Sequence, residues 1–296
     1  MQAAKAQARA EFISALVFLT PKFGLFCAFV VVPFLYTFYL MLFQGGLIGK
    51  FRFVGLGNFG ALVTDGLLRA TVGNTLLFMA INIPVTVVLA LGVGILLSRQ
   101  VRFRGLYRSL IYLPSLLSVS ATGLVWKLML DRDAGPIYGF FKNAFGIELA
   151  YLQSGAVAIT AVALISAWAS VGFYGLIFLA GLNGIPQELY EAGKVDGISP
   201  AGAFLHITLP LLKPVMQLVL ILVSINAIQV FDIIFVVTQG GPGTSTYTVM
   251  WYIYKSVFGG GSVGYAATMS VAVMAFSIAL AGALVLLTRN REAAPS

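Results

Sequence analysis

"IPQELYEAGKVDGISPAGAFLHITLPLLKP", residues 185–214, holds Glu188, Glu191, Lys194, Asp196 and the chain's one histidine, His206, in a sequence that is 59% hydrophobic and 9% charged. Soluble domains carry about 25% charged residues. With a mean hydropathy of +0.97, the chain reads as an integral membrane protein and the stretch as a polar interlude between apolar runs. Length is then counted in spans of about 20 apolar residues. Six runs are long enough to cross, at 23–43, 72–98, 108–130, 157–182, 211–238 and 265–288, which predicts an all-α membrane protein of six transmembrane helices.

The remaining segments are short. Residues 1–22 form an N-terminal cytoplasmic or interfacial segment. Its apolar part, "FISALVFLT" at 12–20, is too short to span and stops at Pro21-Lys22, so it reads as an interfacial or packed helix. Acidic Glu11 and the long apolar run that follows argue against a cleaved signal peptide. A tail at 289–296 follows the six-span body of 23–288, and the polar loop occupies 183–213.

Lys and Arg in short loops resist translocation. Eleven lie on the side that holds both termini and the 183–213 loop, against seven on the other, so that side is expected to be cytoplasmic. The net charge of +8 is spread over these loops without a patch or a nucleic-acid module, which speaks against nucleic acid as a partner. Cys27 stands alone in the first span as a small buried hydrophobe, and no disulfide or metal framework can be built from one cysteine and one histidine.

Catalytic patterns fail on inspection. "GGLIGKF" lacks the first glycine of a phosphate loop, where Gln44 stands, and Phe51 replaces the hydroxyl residue. "GLGNFG", Gly55 to Gly60, matches G-x-G-x-x-G but has no βαβ unit around it, and reads as a turn before the second span. His206 reads as part of a polar helix face. No residue set here calls for a cofactor, a metal or an enzymatic role.

Within the interlude, Pro186 suits the first turn of a short helix that places Glu188 and Glu191 one turn apart. Ala192, Gly193 and Gly197 remove bulk and permit close approach to another surface. Ser199-Pro200 supplies an N-cap and first turn for a second short helix, and Pro210 and Pro214 punctuate the approach to span five. The pattern is helix, turn, helix.

These residues resemble the E-A-A-x3-G-x9-I-x-L-P cytoplasmic loop of permease subunits in binding-protein-dependent ABC importers. Glu191, Ala192, Gly193 and Gly197 fall on its first half and Ile207, Leu209 and Pro210 on its end, with glycine for alanine at the third position. "FVGLGNF", "RGLYRSLIYLPSLLS", "VTQGGPGTSTYTVMWYIYKSVF" and "GYAATMSV" resemble the carbohydrate-uptake branch, so the likeness covers almost the whole chain. It implies the type I importer permease fold, in the bacterial or archaeal cytoplasmic (inner) membrane. It implies a coupling helix, carrying Glu188, Glu191, Ala192, Gly193, Asp196 and Gly197, that enters a groove of a separate ATPase. It implies as partners two ATP-binding subunits that hold ATP and Mg, a second related permease, an extracytoplasmic solute-binding protein, and a sugar, polyol or glycoside as cargo. The alternative is an ATP-independent secondary transporter or channel, for which the spans offer one ionisable candidate, Asp232, and no internal repeat.

The expected substrate path lies in span five, where Asn226, Gln229 and Asp232 recur every three residues as a spiralling polar stripe on a helix. Such groups avoid lipid; they line a cavity or tie helices together. Trp168 and Tyr174 in span four offer aromatic faces for a sugar ring, or packing.

Overall fold

A computed structural model describes residues 14, 16–99, 103–146 and 153–288. The elements are α1 (Leu16–Leu40), a two-stranded antiparallel hairpin β1 (Phe43–Gln44) and β2 (Arg52–Phe53), α2 (Gly57–Thr64), α3 (Gly66–Ser98), α4 (Arg104–Leu116), α5 (Val119–Met129), α6 (Pro136–Phe145), α7 (Gly155–Asn183), α8 (Gln187–Val195), α9 (Pro200–Leu211), α10 (Lys213–Ile228), α11 (Asp232–Val237), α12 (Val249–Phe258) and α13 (Val263–Thr288). Among the described residues four helices are long and apolar enough to cross a membrane as they stand, and the number is six if each of two bent pairs counts as one span.

Three expected boundaries move. The 12–20 run does not end at Pro21. Among the described residues α1 continues through it to Leu40, so the division expected at residue 22 falls inside a helix. Proline removes one ladder bond, and before Pro33 the backbone widens into a π stretch at Cys27–Val31 that makes room for the ring. The run at 108–130 is not one straight span: α4 and α5 meet at 93°. Pro114 has no N–H to continue α4, and Leu117 and Ser118 then turn to extended backbone. The run at 211–238 is divided as well. α9 and α10 meet at 68°, where Pro210 and Pro214 leave two gaps in the ladder, and α10 stops at Ile228 before α11 begins.

The described residues fall into two compact units, one within 1–64 and 253–272, the other within 65–252 and 273–296. In the first, Asn58 explains the "GLGNFG" turn. Buried at the start of α2, its Nδ2 donates to the carbonyls of Met41 and Phe43, each at 2.8 Å, and closes the hairpin over the helix. Gly264 of α13 lies so near this hairpin that a Cβ there would stand 1.7 Å from the Phe43 carbonyl oxygen, and only glycine fits.

The second unit is built on α3 and α7. Glycines let the two approach: a Cβ at Gly94 would meet Phe178 at 2.8 Å, and one at Gly175 would meet Val93 at 2.6 Å. Small residues let membrane helices gain dispersion contact where lipid supplies no hydrophobic drive. α10 closes the layer, burying Val219 and Val223 against Val87, Ala90, Tyr174 and Phe178. Asn82 adds a buried cross-link from its Nδ2 to the Ala163 carbonyl at 3.0 Å. Ahead of α3, Asp65 caps the helix by accepting from Leu67 and Leu68, and it accepts from Tyr252 Oη at 2.7 Å. Burial first, and then the Asp65 bond and charge, push the Tyr252 phenol up to about 12.

Candidate functional site

Within the second unit, α3, α4, α5, α7, α10 and the α10–α11 junction line a half-open cavity of about 470 Å³. Asn226 ends its last turn on α10, Gln229 caps that helix and Asp232 begins α11, so the three do not share one continuous helix as a stripe would require. The backbone leaves the helix at Gln229, Val230 and Phe231, with Phe231 at φ −137°. The break brings all three side chains to one wall. Non-helical backbone at membrane depth persists where it is buried in protein or lines a cavity, and here Val230 is buried while Gln229 and Asp232 stand on the lining. Asp232 in the first turn of α11 also stands at the positive end of that short helix dipole.

Tyr174 of α7 lies beside Asn226 on the lining. It is 2% exposed, and its hydroxyl accepts from Asn226 Nδ2 at 2.7 Å, so α7 and α10 are tied together at the edge of the cavity. Trp168 is not on the lining. It is half-exposed on α7 and packs edge-on against Trp126 at 5.4 Å, the packing alternative of its two expected roles.

The lining includes polar residues that sequence reading passed over: Asn82, Ser115, Thr122, Ser166 and Ser170. Ser115 is the most informative. Its Oγ donates to the Ala169 carbonyl at 2.8 Å and accepts from the Phe173 N–H at 3.1 Å, so it sits inside the ladder of α7 between two residues four apart. Beside it α4 touches α7 backbone to backbone at Gly172. Ser166 and Ser170 do carry a sequence signal, an i, i+4 pair in an apolar span.

The polar loop folds as a separate hairpin of α8 and α9. Glu188, Glu191, Ala192 and Asp196 are exposed, as are the apolar Leu189 and Val195, the latter at 88%. α8 ends in a Schellman motif: Gly197 at φ +76° lets the Ile198 N–H reach the Gly193 carbonyl at 2.8 Å and its own N–H reach Lys194 at 3.1 Å. Ser199 caps α9 by accepting from the Gly202 N–H. Tyr190 Oη and Thr208 Oγ1 hold the two helices together at 2.9 Å, and His206 Nδ1 stays on its own helix, 2.9 Å from the Gly202 carbonyl.

The two glycines therefore act differently from the expectation that both clear space for a partner. Gly193 is buried under Ile198 and Ile207, so the bulk is removed for the loop's own packing. Gly197 faces open space and is needed for its positive φ. Gly193→Ala should be tolerated. The new methyl is tight only against the movable tip of Ile207 at 3.2 Å and touches Ile198 at an ordinary 3.5 Å, and helix propensity favours alanine by up to about 1 kcal/mol. The thermal midpoint of the purified chain should hold or rise; a fall of several degrees would show that Ile207 cannot give way.

Residues 83–292 match the family described as binding-protein-dependent transport system inner membrane component. The sulfoquinovosyl glycerol transport system permease protein SmoG of Agrobacterium fabrum is 31% identical over 281 residues, covering 94% of this chain and 91% of that protein. The diacetylchitobiose uptake system permease protein NgcF of Streptomyces coelicolor is 31% identical over 93% of this chain and 82% of its own length. The trehalose/maltose transport system permease protein MalF of Thermococcus litoralis is 32% identical over 77% of this chain and 78% of its own length. Among solved structures, a bacterial ABC transporter involved in the import of the acidic polysaccharide alginate superposes with a TM-score of 0.80 over 99% of this chain and all of that one, at 20% identity, and so shares the fold.

Proposed function

Because the chain belongs to the family of inner-membrane components of binding-protein-dependent transport systems, we propose that it forms half of the translocation path for a sugar, polyol or glycoside, with a second permease as the other half. It is a multi-pass permease subunit without catalysis of its own. The observation that carries the cargo reading is the broken helix, which brings Asn226, Gln229 and Asp232 to one cavity beside Tyr174. Hydroxylated cargo is recognised by a few convergent hydrogen-bonding groups beside an aromatic or apolar wall. The named cargoes of the relatives, a sulfoquinovosyl glycerol, a chitobiose and trehalose or maltose, support the same class. Among the described residues the lining has one carboxylate and no Lys or Arg, which favours neutral cargo over an anion held by this subunit alone.

The α8–α9 hairpin is the coupling element in this reading. Exposed Leu189 and Val195, beside Glu188, Glu191 and Asp196, form an apolar surface with an acidic border that suits the groove of an ATPase subunit. The excess of Lys and Arg supports a cytoplasmic position for this hairpin and for both termini. ATP and Mg belong to two partner ATPases, and an extracytoplasmic solute-binding protein delivers the cargo.

The test is reconstitution with the products of neighbouring genes. The complex in liposomes should take up radiolabelled lactose, maltose or diacetylchitobiose only with ATP inside and binding protein outside, and Glu191→Lys should lower stimulated ATP hydrolysis about tenfold by opposing charge at the docking surface. Uptake of these sugars by this chain alone without ATP would overturn the reading.

A further inference from the structure

We propose that Thr248, a residue outside the cavity, positions the broken wall that carries Gln229 and Asp232. The helix break frees the carbonyl of Val230, a residue that is 8% exposed. A buried carbonyl without a partner is costly, and here Thr248 Oγ1 donates to it at 3.0 Å. The same oxygen accepts the Trp251 N–H at 3.4 Å and so caps α12 from the residue just before it. One hydroxyl thus joins the start of α12 to the non-helical turn of the wall, with Thr248 itself fully buried.

Neighbouring contacts make this joint stiff. The Val249 N–H donates to Thr75 Oγ1 at 3.0 Å, and Asn74 Nδ2 donates to the carbonyls of Thr244 and Tyr247 at 3.0 Å each, which fixes the 244–249 segment to α3. The Trp251 ring lies 6.0 Å from Phe231 and 5.8 Å from Phe235, on either side of Asp232 in sequence. α3 therefore holds the loop, the loop holds Thr248, and Thr248 holds Val230 between Gln229 and Asp232. Its role is positioning, since it is not itself on the lining.

The proposal rests on the cargo reading for its meaning, but its test does not involve cargo. In the full-length chain in native membranes, with Cys27→Ser, a cysteine placed at Gln229 or at Ser166 on the opposite wall is labelled by a small cationic methanethiosulfonate, per chain recovered. Thr248→Val keeps the shape and removes the hydroxyl. It should change the labelling rate at 229 about tenfold, the scale of one lost buried hydrogen bond, and leave that at 166 within about twofold. Thr248→Ser restores the hydroxyl and should return the rate at 229 to that of the parent. An unchanged rate at 229, or equal changes at 229 and 166, overturns the proposal. If Thr248→Val does not accumulate, Thr248→Ala is read in its place, since it removes the same hydroxyl: a rate at 229 shifted from that of Thr248→Ser supports the joint, and an equal rate defeats it. Failure of the cargo reading would appear instead as normal uptake in cavity variants, with these rates unaffected.

Discussion

Uptake by the assembled complex should fall about a hundredfold when Asn226 and Gln229 are both replaced by alanine, with the complex still assembled and its basal ATP hydrolysis intact. Each side chain supplies a hydrogen-bonding group exposed to the cavity, and losing one such contact to a polar cargo costs about 1–3 kcal/mol, so two reach two orders of magnitude. The two positions are not equivalent. Asn226 also donates to Tyr174 Oη at 2.7 Å, so Asn226→Ala alone removes the tie between α7 and α10 and should lower the thermal midpoint, whereas Gln229→Ala alone should leave it unchanged. Gln229 sits in the helix break, where its backbone N–H already bonds to the Ile225 carbonyl at 3.2 Å whatever its side chain. Normal uptake and unchanged ligand preference in the double variant would remove the cargo role. Failure to assemble would instead assign these residues to holding helices together.

Gly172→Ala should destabilise the protein by about 3 kcal/mol, an effect large for one methyl because the neighbour is backbone. A Cβ at 172 would stand 2.1 Å from the Ile111 carbonyl oxygen and 3.0 Å from the Tyr112 Cα. No rotamer relieves that clash, so α4 must move away from α7. Ser115 would then withdraw from the Ala169 carbonyl and the Phe173 N–H, and the cavity would lose the register of one wall. The control is Gly92→Ala on α3, where nothing lies within 4 Å of the added carbon and alanine gains about 1 kcal/mol of helix propensity. Thermal unfolding of the two variants in detergent should therefore move in opposite directions from the parent. An unshifted midpoint for Gly172→Ala would show that α4 does not rest on α7 at this point.

The contrast between these glycines bears on what a sequence can report. Gly92 and Gly172 both stand in apolar spans and look alike in the chain; only the approach of Ile111 separates them. The same holds for Thr248, one hydroxyl in a loop already rich in small polar residues, whose importance comes from a carbonyl 18 positions away.

Composition and pattern alone determined that the chain is an all-α membrane protein and that its polar interlude is two short helices joined by a turn, and they marked Asn226, Gln229 and Asp232 as a polar set. Those are local consequences of hydropathy, caps and proline placement: Ser199 caps α9 as its position suggests, whereas Gly193 and Gly197 serve the hairpin's own packing and turn. The tertiary structure decided where the spans bend and break. A run such as 108–130 stays apolar enough on both sides of its 93° turn to be counted as one span, so mean hydropathy alone does not place the bend. It also decided that the polar triad meets at a junction and not along a helix, since the freed Val230 carbonyl is stable only when Thr248, from a distant segment, is there to donate to it.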